Sequence, residues 1–167
     1  MFQHTKGVLI ATGIAIALIF GLSLIIPQQI VLQHELVVNS PQDSVFHFLE
    51  NANNMKSYFP NLEGIKMEDK GEGDFVFEGH DGELYRIELR VANKAKGVEL
   101  SYYKNDDKKG VFLLTTKKHN EQTLLSQTQF WNLGYNPLTK ILGHQTKDES
   151  LGNLQDEMIK LKITLEQ

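Results

Sequence analysis

In LGNLQDEMIKLKITLE, residues 151–166, Leu151, Leu154, Met158, Leu161 and Leu165 return every three or four positions as one apolar stripe, with Asp156, Glu157, Lys160 and Lys162 mainly off it. That spacing predicts a long amphipathic helix. Its stripe must be buried, and the preceding residues offer one apolar surface large enough, the inner face of a sheet. Just upstream, Asn136 and Pro137 read as a helix cap and first helical residue, and Gly143 as a break or kink.

The sheet is legible between residues 62 and 131. Tyr85, Ile87, Leu89 and Val91 face one way and Arg86, Glu88 and Arg90 the other, as in an antiparallel sheet with one wet face. Residues 74–78 alternate around Phe75 and Phe77, and His80, Asp81 and Gly82 read as a hairpin turn. Val98, Leu100 and Tyr102 continue the pattern, and residues 105–110 turn the chain. Residues 111–118 and 123–131 then pair around His119, Asn120 and Glu121. The last strand leaves two registers open. Either Leu125, Gln127, Gln129 and Trp131 face inward, which places two glutamines inside, or Leu124, Ser126, Thr128 and Phe130 do.

Residues 30–38 form another alternating strand, with Leu32, His34, Leu36 and Val38 on one side. Ser40, Pro41 and Asp43 then read as N-cap, first helical residue and capping-box acid, and Val45, Phe46, Phe48 and Leu49 as the helix's apolar face. A second short helix is expected over residues 54–59, stopped by Pro60. The sum is an α+β domain with six to seven strands in a meander.

LQHELVVNSPQDSVFHFLENANNMKSYFP, residues 32–60, resembles the opening of the START-like, helix-grip (SRPBCC) superfamily, in particular its polyketide cyclase/dehydrase and lipid-transport branch. NPLTKILG followed by LGNLQDEMIKLKITLE is similar to that family's closing loop and helix. The resemblance covers about residues 30–166 and rests on the order of elements. It implies an antiparallel sheet wrapped around the C-terminal helix, with a cavity between them for a hydrophobic or amphipathic molecule. Members usually carry a tryptophan near the end of the second short helix, where this chain has Tyr58 and Phe59, so the identity of a ligand does not carry over.

Residues 7–26, GVLIATGIAIALIFGLSLII, hold no charge, and Lys6 and Pro27 bound them. At about 1.5 Å per residue they span about 30 Å, the thickness of a hydrocarbon core, and predict one transmembrane helix. The run is too long for the apolar part of a signal peptide, and Leu24, Ile25, Ile26 and Pro27 offer no small-residue cleavage site. Lys6 before the helix, with no positive charge in residues 27–33, places residues 1–6 in the cytoplasm by the positive-inside rule. The domain from residue 30, joined through residues 27–29, is then extracytoplasmic, in a periplasm or on the outer side of an inner membrane. A known arrangement in small bacterial members of the family is similar.

Of 17 basic residues, 16 lie beyond the anchor against 21 acidic ones, which argues against a nucleic-acid partner. Zero cysteines exclude disulfides and thiolate chemistry, and no two of the six histidines stand at ligand spacing, so no metal is expected. Gly71 and Gly73 begin a GxG, but Val76 replaces the third glycine of a dinucleotide fingerprint, and no GxSxG occurs. No cofactor and no catalytic constellation is expected.

Aromatic side chains are the richest material for a ligand, since pockets are largely apolar with a few polar groups. The candidate cavity set is His34, Tyr58, Phe59, Phe75, Phe77, Tyr85, Ile87, Tyr102, Phe112, Trp131, Leu154 and Met158. For each aromatic taken singly, filling the core is the commoner role, and His34 is more often a hydrogen-bonded core histidine than a ligand contact. The expected partners are a hydrophobic small molecule or lipid, together with the membrane. The alternatives are a cyclase- or dehydrase-type enzyme using His34 or a cavity tyrosine, and an envelope structural or partner-binding protein.

Overall fold

A computed structural model describes residues 2–54, 65–79, 81–93 and 97–167. Helix α1, Phe2–Ile25, leads into strand β1, Gln29–Val38. Helix α2, Gln42–Glu50, and a 3-10 turn, Ala52–Asn54, follow. Six strands come next: β2 (Glu68–Gly71), β3 (Asp74–Glu78), β4 (Leu84–Asn93), β5 (Gly97–Lys104), β6 (Asp107–His119) and β7 (Gln122–Asn132). Helices α3, Pro137–Gln145, and α4, Lys147–Leu165, close the chain. The strands form one antiparallel sheet in the order β1-β7-β6-β5-β4-β3-β2, so the meander from β2 to β7 ends beside the first strand.

The alternation expected for β1 and β4 holds along their core-facing residues. Leu32, Val38, Ile87 and Leu89 are buried in one cluster with Leu154, Met158 and Leu161 of α4 and Val45 and Leu49 of α2. Val91 departs from it. It stands 51 % exposed, beyond Glu88, the last β4 residue paired with β3. In β7 the inward residues are Thr123, Leu125, Gln127 and Gln129, which selects the register with two glutamines inside.

Three local expectations are corrected. Ser40 does not cap α2: Pro41 holds the cap position without a side-chain bond, while Ser40 Oγ donates to Leu165 O and Ser40 O accepts from Thr123 Oγ1. The β5–β6 turn is shorter than residues 105–110. Asn105 and Asp106 both have positive φ, the geometry of a tight two-residue hairpin, and Gly110 lies within β6. The helical break falls at Thr146, and Gly143 lies inside α3, where its lack of a side chain allows close packing: a Cβ would come within 2.6 Å of Leu133 Cδ2. The Asn136 cap stands as expected, accepting from the Leu138 and Thr139 amides.

The span expected over residues 7–26 falls on α1, a helix of 24 residues. Among the described residues no helix is long and apolar enough to cross a membrane. The run with described side chains, residues 7–21, covers about 22 Å of helix axis. The second short helix over residues 54–59 lies outside the described residues past Asn54, as do Tyr58, Phe59 and the turn residue His80.

Candidate functional site

Five rings on the inner face form a continuous row across five strands. Phe77 stacks on Tyr85 at 5.5 Å between ring centres, Tyr85 on Tyr102 at 5.7 Å and Tyr102 on Phe112 at 6.2 Å. Trp131 closes the row, edge-on to Tyr102 at 5.8 Å and 5.0 Å from Phe112. The cause is local. Gly110 stands in register between Tyr102 and Trp131 and has no side chain to hold the rings apart. A Cβ there would come within 3.3 Å of Trp131 Cε3.

One end of the row is polar. Asp81 Oδ2 accepts from Tyr85 Oη at 2.6 Å and from Lys104 Nζ at 2.8 Å, and Lys104 stands 5.2 Å above the Tyr85 ring. The Lys104 ammonium and then the Tyr85 hydroxyl hold the Asp81 carboxyl well below the usual carboxylate range, and Asp81 in turn holds Lys104 above the usual lysine range. Asp81, read from the sequence as a turn residue, also fills that role by accepting from the Glu83 amide. Burial pushes the Tyr102 hydroxyl up to about 12, so Tyr102 is a hydrogen-bond donor at neutral pH.

Beside the other end lies a buried polar set. Trp131 Nε1 donates to Gln129 Oε1 at 3.0 Å, and the Gln129 side chain also hydrogen-bonds the Glu157 carboxyl. Burial raises the Glu157 pKa, against the pull of Lys160 and Gln129. Gln127, one inward position further along β7, is 1 % exposed, and its side-chain nitrogen finds no acceptor among the described residues. Opposite it on β1 stands His34, half-buried.

Of the candidate residues, Phe77, Tyr85, Tyr102, Phe112 and Trp131 are thus brought together. Phe75 and Ile87 are buried opposite one another on β3 and β4, and Leu154 and Met158 are buried under α4. His34 stands opposite Gln127 in the β1–β7 register, outside the row of rings. Glu157 was expected off the helix stripe, yet it follows Leu154 by three and precedes Leu161 by four, which is the stripe's own spacing. That interval was the signal for it. The described residues hold no cluster of three or more His, Asp or Glu able to bind a metal.

No family model matches the sequence, and no curated protein matches it significantly. Solved structures share its fold. An uncharacterized protein from Bacillus thuringiensis matches with a TM-score of 0.57 at 12% identity, over 81% of this chain and 98% of its own. A Bacillus halodurans protein solved in solution matches at 0.58 and 12%, over 84% of this chain and 100% of its own. The di-domain ARO/CYC StfQ from the steffimycin biosynthetic pathway matches at 0.57 and 13%, over 83% of this chain and 51% of its own. The domain therefore shares its fold with an ARO/CYC di-domain protein and with uncharacterized bacterial proteins. At these identities the likeness is one of fold.

Proposed function

We propose that this chain is a membrane-anchored binding protein for a hydrophobic or amphipathic small molecule or lipid, with its domain on the extracytoplasmic side. The observation that carries the reading is the pairing, on one inner sheet face, of a five-ring aromatic row with a buried amide that has no acceptor among the described residues. An unpaired buried N–H costs about 1–3 kcal/mol, and a ligand oxygen in that position would offset it. The rings supply apolar contact, and Tyr102 and Gln127 are the donors that would orient a polar group. The anchor is supported by the 20 uncharged residues 7–26 and by the exposed apolar side chains of α1, and the orientation by Lys6.

The test uses the full chain in detergent. Native mass spectrometry should find a co-purifying lipid or small molecule, and titration with a long-chain fatty acid should shift the emission of Trp131, the chain's single tryptophan. A ligand-free mass together with unchanged emission would overturn the binding reading. A single cysteine at Glu121, probed in whole cells with a membrane-impermeant maleimide, tests the orientation: labelling supports it, and protection until lysis reverses it.

A further inference from the structure

Helix α3 presents an apolar face to the outside. Leu138 and Leu142, one turn apart, are 58% and 60% exposed, and Tyr135 just before the helix is 82% exposed. The opposite side is sealed onto the domain, with Lys140 buried and Gly143 against Leu133 and Ile30. Lys140 is the only Lys, Arg, Asp or Glu in PLTKILGHQ, so the outer face carries none. Such a face is costly in water when it adjoins further apolar surface.

It does adjoin one. Ile16, Ile19 and Phe20 of α1 and Tyr135, Asn136, Pro137 and Leu138 line a mostly apolar groove of about 590 Å³. At the other end of α3, His144 Nε2 lies 3.2 Å from Pro27 O, just past the end of α1. Helix α3 therefore runs alongside α1 in the same direction, its first turn beside Ile16 and Phe20 and its last beside Pro27. Along the α1 axis Phe20 lies about 8 Å short of Ile25, and Ile16 about 14 Å.

We infer that α3 is submerged in the outer leaflet alongside α1, with Tyr135, Leu138 and Leu142 in contact with lipid. This rests on reading α1 as a membrane anchor. With Ile25 at the headgroup boundary, the first turn of α3 lies at the level of Phe20 and Ile16, about 8–14 Å below it. The domain would then rest on the bilayer by its α3 side instead of swinging free on residues 27–29.

With no native cysteine, single labels test this in the full chain. Leu138→Cys, Leu142→Cys, Ile10→Cys and Glu121→Cys each receive an environment-sensitive fluorophore and are reconstituted into phosphatidylcholine vesicles with nitroxide lipids. Expected is blue-shifted, lipid-quenched emission at positions 138 and 142, chain-quenched emission at 10, and water-like emission at 121 on the far hairpin. If 10 is quenched and 138 and 142 behave like 121, the inference fails while the anchor stands. If 10 is also unquenched, the anchor fails and the inference with it. Labels at 138 and 142 that are lipid-unquenched but self-quenched between chains would mark a second copy on this face and overturn the inference.

Discussion

The indole of Trp131 donates to the side-chain oxygen of Gln129, two residues back on β7, at 3.0 Å, and Gln129 also binds Glu157 of α4. One amide thus ties the aromatic row to the C-terminal helix. Gln129→Leu strands both partners and should cost about 1–3 kcal/mol, read as a lower urea midpoint with unchanged slope. It should also raise the Glu157 pKa further, because the lost bond favours the charged form.

Gly110→Val should also destabilise the domain, by about 1–3 kcal/mol, because a branched side chain must enter a space where even a Cβ comes within 3.0 Å of Phe130 O. Trp131 emission reports it directly. The indole is pushed away from Tyr102, and a red shift relative to the parent chain is the expected reading. Unchanged emission would mean that Gly110 does not set the ring geometry.

Glu157 gives stability a pH dependence of definite sign. Its pKa is raised by folding, so the folded state binds more protons between the unfolded and folded values. The contribution is fully present below the unfolded pKa and is lost as pH rises through the folded one. Glu157→Gln should therefore flatten the stability profile from the ordinary glutamate range upward, measured as thermal midpoint against pH. A parallel profile would refute this.

Asp81 has the opposite sign, with a depressed pKa whose contribution is lost as pH falls. Lys104 is its larger support and Tyr85 the smaller. Carboxyl NMR titration should show Lys104→Met raising the Asp81 pKa more than Tyr85→Phe does. The reverse order would show that the hydroxyl, not the ammonium, holds the carboxylate.

Much of this fold is legible in period alone. Leu32 and Val38, Ile87 and Leu89, and Leu154, Met158 and Leu161 each follow the spacing of the element that buries them. What period does not supply is partnership. Both faces of β7 mix polar and apolar side chains, so its register is set by pairing with β1 and β6. Ser40 has the chemistry of a cap, but its hydroxyl is taken by Leu165, which is distant in sequence. The turn at Asn105 and Asp106 was hidden by Gly110, whose role is to admit Trp131. The same limit applies at the site. The aromatics were apparent as residues, but the order in which Tyr102 lies between Tyr85 and Trp131 depends on strand pairing.

The β1–β7 ladder joins residues as distant as Gln29 and Asn132, and Lys162 Nζ then bonds Val37 O from the last helix. A chain leaving the ribosome N-terminus first cannot close its sheet until β7 has emerged, nor seat α4 until Leu165 has followed. Domains dominated by such non-local pairings fold on the millisecond-to-second scale. This one should therefore stay unfolded until β7 and α4 have both emerged. A ribosome-stalled chain ending at residue 132 should be digested by protease where the released chain resists.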